Sequence, residues 1–250
     1  MSYLKQTLRD LHEERKRDVP LPIYIFWWIV RILVIYGAIM SLITHNTLET
    51  PQMIANIFVC FIFTFFKLFP KEKFLLSRFS FRLETIVIFL NLMTTYLGSY
   101  MRFYETIPAW DMMIHFVFSV VGVYFSYEVI VAATKERKDL EPVVGALSGF
   151  GLCTAGGVFW EIYEFTVDQI SGRNVQHWDL SQAANGKGVE IFHFTNPMRY
   201  ALLDTMSDLI FAFIGAIIGT VIIYYWLKNR AKKAVAVTDE QTENYTFAGI

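Results

Sequence analysis

Acidic side chains recur in this sequence inside stretches that are otherwise apolar. Glu161, Glu164 and Asp168 follow one another at steps of three and four residues, which places all three on one face of a helix. A carboxylate in hydrocarbon is costly unless it meets a cation, a metal ion, water or another partner. We therefore expect this helical face to point into a bundle and not toward lipid.

Two other stretches carry acids in the same setting. Asp111 and His115 are four residues apart, and so are Asp204 and Asp208. Carboxylate oxygens with one imidazole favour Mg²⁺ or Mn²⁺, with Zn²⁺ and Fe²⁺ left open. The expected metal ligands are Asp111, His115, Glu161, Glu164, Asp204 and Asp208. The candidate catalytic residues among them are His115, Glu161, Glu164 and Asp208.

The composition predicts the elements that must position these residues. The chain has 250 residues, of which 54% are hydrophobic and 17% aromatic, and its mean hydropathy is +0.39. Such a composition is typical of a multi-pass, all-α integral membrane protein. Six transmembrane helices are expected at about residues 22–43, 52–69, 83–103, 109–133, 143–167 and 199–227, in one domain over 21–227.

The distribution of Lys and Arg predicts the orientation. Positive residues concentrate before the first span, after the second and fourth spans, and after the sixth. Because positive charge stays cytoplasmic, both termini are expected inside the cell. The sequence then divides into a cytoplasmic amphipathic segment (1–20), an extracytoplasmic loop (168–198) and a disordered cytoplasmic tail (228–250).

This topology predicts that the acids meet. The fourth and sixth helices enter the membrane from outside, and the fifth leaves it there. All the acidic positions and His115 then lie within about 10–15 Å of the outer boundary. Some alternatives stay open, since Asp111 could only favour a helix start and Asp168 could be solvated.

Glycine and arginine complete the pattern. Gly145, Gly149, Gly156 and Gly157 extend the acidic face of the fifth helix, and we expect neighbouring helices to approach closely there. Arg31 lies within the first span, where it either pairs with an interior carboxylate or extends to the lipid headgroups. The candidate substrate-binding residues are Arg102, Arg173 and Arg199.

The stretches DMMIH, FWEIYEF, DQISGRNVQ and DTMSDLIFAFIGA resemble the motifs of a family of bacterial multi-pass membrane proteins, the YjdF type. More distantly, they are similar to the VanZ-like family, with its D-x-x-x-H, E-x-x-Q and D-x-x-x-N pattern. The resemblance covers about residues 80–225 and implies a bacterial cell-membrane location without a particular reaction. Glu164 and Asp208 stand where the VanZ-like pattern has Gln and Asn, so this site is more acidic.

Three functions are compatible with these patterns. The leading hypothesis is a membrane-embedded, divalent-metal-dependent enzyme that acts on a lipid or lipid-linked phosphate at the outer face. The second is a proton- or cation-coupled transporter, with Glu84, Asn91 and Glu128 as its inner half. The third is a non-catalytic membrane stress or scaffold protein. Membrane lipids are the expected partners, no nucleic-acid motif is present, and the oligomeric state stays open.

Overall fold

The computed structural model is all-helical over the residues that it describes, which are 3–44, 50–71, 73–134, 138–171, 175–176 and 200–247. A π-helical segment, Leu92–Tyr100, continues α4, and no strand occurs within these ranges. The predicted all-α class is therefore confirmed. The helices are α1 (Tyr3–Asp18), α2 (Leu21–Ile43), α3 (Thr50–Phe66), α4 (Phe81–Asn91), α5 (Phe103–Thr106), α6 (Trp110–Ala133), α7 (Pro142–Ser171) and α8 (Tyr200–Phe247).

Within the described residues, four helices are long and apolar enough to cross a membrane, and they match the first, fourth, fifth and sixth predicted spans. The second predicted span overlaps α3, an apolar helix of 17 residues. The third overlaps α4 and the π-helical segment. The number six stays a prediction. The four candidate spans are Leu21–Ile43, Trp110–Ala133, Pro142–Ile170 and Leu202–Ala236.

Two groups of helices each have an apolar core. The cores differ in their helices and meet through a third set of contacts between α3, α4 and α6. The core of α2, α3 and α4 includes Trp27, Val30, Val34, Cys60 and Ile88. The core of α6, α7 and α8 includes Val123, Tyr127, Ala146, Ala216 and Leu227.

Glycines bring α8 against α6. A Cβ atom at Gly215 would lie 2.3 Å from the carbonyl oxygen of Phe116, and one at Gly219 would lie 2.5 Å from that of Val120. Gly149 of α7 is similarly close to α6. Gly156 and Gly157 instead have no atom within 4 Å of the Cβ position. The expectation of one continuous glycine face against neighbouring helices is therefore wrong for these two residues.

From Lys228 to Phe247 the C-terminal tail is helical, whereas the sequence-based expectation was a disordered segment. α8 continues from the apolar span as far as Phe247. The span supplies a formed helix, so each added residue extends it without the cost of nucleation. Ala and Lys after Trp226 are good helix formers and favour this extension. At the other boundary, α7 continues to Ser171, so Asp168 is helical and does not begin the loop.

Arg31 pairs with an interior carboxylate. Its Nη2 donates to Glu84 Oε1 at 2.9 Å, and both side chains are almost fully buried. Arg31 also donates to the carbonyl oxygen of Cys60, and Thr64 donates to the same Glu84 oxygen. Of the two alternatives for Arg31, the ion pair between α2 and α4 is correct.

Candidate functional site

Three helices bring the predicted site residues together. α6 begins directly after Ala109, whose left-handed backbone (φ 57°) turns the chain, so Asp111 and His115 lie in its first turns. α7 contributes residues from its last turns, and α8 from its first turns. We call these residues the carboxylate cluster: Asp111, His115, Glu161, Glu164, Asp204 and Asp208.

The imidazole of His115 lies between two carboxylates. Its Nε2 is 3.7 Å from Asp111 Oδ1, and its Nδ1 is 3.8 Å from Glu161 Oε1. These separations are longer than hydrogen bonds, but each ring nitrogen has a carboxylate within reach after a small shift. The imidazole and the Glu161 side chain are largely buried, at 10% and 6% exposure.

Asp208 brings α8 to the same point. One ligand atom each from Asp111, His115 and Asp208 lie within 4.8 Å of one another. Oxygen ligands lie about 2.1 Å from a bound Mg²⁺ ion, so two ligands of one ion are at most about 4 Å apart. A modest approach of the three side chains would therefore accommodate one ion. The arrangement depends on the close contact of α6 and α8 at Gly215.

The remaining acids complete a strongly negative site. Asp208 interacts electrostatically with Asp111, Asp204, Glu161 and Glu164. Asp204 also interacts with His115. So many acids in a buried site cannot all stay ionised without a bound cation. If no cation binds, some of the acids must be protonated.

Several cluster oxygens are buried without a hydrogen-bond partner. They are both carboxylate oxygens of Glu161 and Oδ2 of Asp208. Thr205 lies close to Glu161 but does not form a hydrogen bond of normal geometry with it. Leaving a buried polar group unpaired costs about 1–3 kcal/mol, and more for a charged one. These oxygens therefore favour a ligand, a proton or water in the cluster.

Asp168 does not belong to the cluster, although it lies on the same helix. Its carboxylate accepts hydrogen bonds from the backbone N–H groups of Val175 and Gln176, at 2.8 and 2.9 Å. The Gln176 side chain donates to the Thr205 hydroxyl of α8 at 2.9 Å. Asp168 thus holds the chain that leaves α7 against the start of α8, and this role is structural.

The predicted substrate-binding arginines are less well defined. Arg102 precedes α5 in a left-handed backbone conformation (φ 60°), and its side chain is exposed. Arg173 and Arg199 lie outside the described residues. Their proposed role therefore stays a prediction.

Tyr104 is a site residue that the sequence pattern did not indicate. It lies on the short helix α5, and its ring fills the space beside Gly98 of the π-helical segment. Burial, and then the carboxylates of Asp111, Glu164 and Asp208, raises the pKa of its hydroxyl well above the ordinary value. The hydroxyl therefore stays protonated. Helical periodicity gives no signal for a residue in so short a helix.

The comparisons with known proteins support membership of a membrane-protein family. A protein from Thermotoga maritima, called an uncharacterized protein, is 35% identical over 129 residues. These residues are 51% of this chain and 54% of that relative, so the chain spans about half the length of the relative it matches. No solved structure matches the chain.

The family match agrees with the resemblance to the YjdF type, while the more distant VanZ-like resemblance stays a prediction. The family match begins within α2 and ends in α8, two residues after Leu227, so it includes every member of the carboxylate cluster. The model of the family described as predicted membrane protein (DUF2238) matches residues 25–229, and the chain therefore belongs to this family.

Proposed function

We propose that the carboxylate cluster is a divalent-metal site of a membrane-embedded enzyme that acts on a lipid or lipid-linked phosphate. The observation that carries this proposal is the convergence of Asp111, His115 and Asp208, whose ligand atoms lie within 4.8 Å of one another. Three protein ligands leave coordination positions for water and substrate, as catalytic metal sites require.

Two features favour a metal ion over protonation alone. The first is the number of carboxylates around Asp208, since a divalent cation relieves the repulsion among all of them at once. The second is His115, because a neutral imidazole adds a strong ligand without adding negative charge. Mg²⁺ and Mn²⁺ suit the oxygen-rich set best, and Zn²⁺ or Fe²⁺ would also accept the imidazole.

Glu161 has a different role from the three ligands. It faces Nδ1 of His115, while Asp111 faces Nε2. Metal-binding histidines commonly donate the other ring N–H to a carboxylate, which sets the tautomer and the ring orientation. We therefore assign Glu161 to holding His115 with Nε2 turned toward Asp111.

The reaction class that fits these groups is hydrolysis of a phosphate ester. A divalent metal held by the cluster would activate a water molecule for attack on phosphorus. The water oxygen would form the new bond to phosphorus, and the bond from phosphorus to the lipid oxygen would break. A cluster carboxylate would accept the water proton and deliver a proton to the lipid oxygen that leaves. Glu164 is our candidate for that carboxylate, and Arg102 for contact with the phosphate. Arg173 and Arg199 are further candidates on the same side.

The proposed setting is the cell membrane of a bacterium, with six spans, both termini cytoplasmic and the cluster near the outer face. The concentration of Lys and Arg at one set of helix ends supports this orientation. A lipid phosphate group of the outer leaflet would lie at about the depth of the cluster.

A transporter is less well supported, because it needs a polar path through the other half of the membrane. Three residues of the α6–α8 core, Val123, Ala216 and Ile223, are apolar and buried. The suggested inner-half acids have local partners, since Glu84 pairs with Arg31 and Glu128 accepts from Tyr124. A scaffold protein whose cluster acids share protons would hold no metal in the cluster, and the next experiment measures metal content.

The test is the metal content of the detergent-purified protein, measured by elemental mass spectrometry after purification with Mg²⁺ and Mn²⁺ supplied. We expect near-stoichiometric metal in the wild type and its loss in Asp208→Asn. Glu128→Gln is the matched control, because it removes an acid of α6 outside the cluster and should retain the metal. A wild-type protein without metal would overturn the proposal and direct the search to proton-coupled flux in proteoliposomes.

A further inference from the structure

An apolar groove lies between α7 and α8 and is closed from behind by α6. Its volume is about 360 Å³, which is in the range of pockets that hold small ligands. Cys153, Gly157 and Val158 line it on α7, Leu209 and Ala212 on α8, and Ser119 on α6. Gly157 leaves this space open, because no atom lies within 4 Å of its Cβ position.

The groove lies within one helical turn of the carboxylate cluster on all three helices. Ser119 follows His115 by four residues, Gly157 precedes Glu161 by four, and Ala212 follows Asp208 by four. Residues four apart share a helical face and are separated by about 6 Å along the axis. The cluster therefore forms one end of the same cleft that the groove continues.

The groove offers almost no polar group to a ligand. The Thr154 hydroxyl on its wall donates to the carbonyl oxygens of Phe150 and Gly151, and the Cys153 thiol donates to the carbonyl oxygen of Ser119. At the end away from the cluster, the rings of Phe150 and Phe213 meet edge to face, with centroids 5.7 Å apart. From Cys153 to Glu161 the cleft is about 12 Å long.

The surroundings of the groove identify its occupant. It opens sideways between Val158 and Ile210, which are 49% and 52% exposed, and both lie within candidate membrane spans. Because both residues lie within candidate membrane spans, we expect bilayer hydrocarbon at this opening. A lipid whose polar end is near the membrane boundary extends its chains toward the bilayer centre, which is also the direction from the cluster along the groove.

We propose that the groove binds one hydrocarbon chain of a membrane lipid whose phosphate end reaches the carboxylate cluster, so that the site takes its substrate sideways from the bilayer. This inference rests on the proposed function, because it specifies the substrate of that site as a lipid with a long chain. The apolar groove recognises the chain and the cluster recognises the phosphate.

The test uses the full-length protein in vesicles containing a phospholipid with a photoactivatable diazirine on one acyl chain. In Gly157→Leu the new side chain fills the groove, and we expect labelling of the α7 and α8 wall peptides to fall about tenfold, equivalent to about 1.4 kcal/mol. The matched control is Gly151→Leu, which is on the same helix, also has no atom within 4 Å of its Cβ position, and does not line the groove. Its labelling should equal that of the wild type.

A second measurement needs no variant. With the diazirine near the headgroup, we expect labels close to Glu161 and Asp208, whereas a diazirine at the chain end should label close to Phe150 and Phe213. If labelling does not depend on the position of the diazirine, or falls equally in both leucine variants, the proposal that the groove binds a lipid chain is wrong. Metal content is measured on the same samples. Selective labelling in a wild-type protein without metal would support the groove and overturn only the proposed metal site.

Discussion

At the scale of single residues, the position of His115 divides the acids of the cluster by role. Asp111 faces its Nε2 and Glu161 faces its Nδ1, while Asp208 contributes a ligand atom within 4.8 Å of ligand atoms of Asp111 and His115. An acid on the metal side contributes a ligand atom, and an acid on the far side can only orient the ring. The two kinds of acid should therefore respond differently to the same amide substitution.

We predict that Glu161→Gln weakens metal affinity about 10–100-fold but leaves the site able to fill at high metal concentration. Asp208→Asn should instead prevent filling, because it removes a ligand. Isothermal titration calorimetry of each metal-free variant with Mn²⁺ distinguishes the two results. If Glu161→Gln abolishes binding at every concentration, Glu161 is itself a ligand and the assignment to His115 is wrong.

The second residue-scale prediction concerns the buried pair of Arg31 and Glu84. Glu84→Leu leaves the Arg31 guanidinium buried without its carboxylate, and we expect a loss of about 3–5 kcal/mol in stability. The double variant Arg31→Met with Glu84→Leu should lose less than the two single changes together, because no charge is then stranded. Thermal unfolding in detergent measures all three variants.

The control for this pair is Arg17→Met. Arg17 and Asp18 form an exposed ion pair on α1, so its loss should leave the melting temperature unchanged. Additive effects of the Arg31 and Glu84 changes would show that the two groups do not stabilise each other.

At the scale of elements, the separation of α6 and α8 positions the proposed metal ligands. The Cβ atom that Gly215→Ala adds would lie 2.3 Å from the Phe116 carbonyl oxygen, so the helices must move apart. Phe116 follows His115 directly, and the shift therefore changes the distance between His115 and Asp208. Backbone oxygen cannot move aside as a flexible side chain does.

We predict that Gly215→Ala lowers stability by about 1–3 kcal/mol, the usual cost of overpacking, and also weakens metal binding. Gly151→Ala is the matched control, because its Cβ has no neighbour within 4 Å and alanine favours the helix by about 1 kcal/mol. Melting temperature and Mn²⁺ titration test both variants. Equal behaviour of the two variants would contradict the role given to the Gly215 contact.

At the scale of the whole molecule, orientation decides from which side of the membrane the cluster can be reached. The four candidate spans account for α2, α6, α7 and α8. If α3 and the helix from Phe81 to Tyr100 also cross, the chain crosses six times and both termini lie on one side. The Lys and Arg distribution predicts that this side is the cytoplasm.

We predict that a fluorescent-protein fusion at the C-terminus is bright and that an alkaline phosphatase fusion there is inactive. An alkaline phosphatase fusion within 168–198 should be active, because that loop is expected outside. An alkaline phosphatase fusion after Lys71, between α3 and α4, is the control for the second and third predicted spans. It should be inactive, because that connection is expected in the cytoplasm. Activity of phosphatase at both Lys71 and the 168–198 loop would contradict six alternating spans.

The sequence alone determined the helical class, the apolar helices and the helical face that the acids share. These properties follow from local patterns, since hydropathy marks a span and steps of three and four residues place Glu161 and Glu164 on one face. Combined with the order of the helices, these patterns were enough to predict that Asp111, His115 and Asp208 would meet.

Only the tertiary structure decided the relations between helices. The structure shows that Glu84 pairs with Arg31 and that Gly157 lines an open groove. It also shows that Asp168 lies outside the cluster and that Tyr104 lies beside it. Each depends on the rotation and separation of packed helices, which the contacts of many side chains set together. Periodicity states which residues share a face, but not which neighbour that face meets.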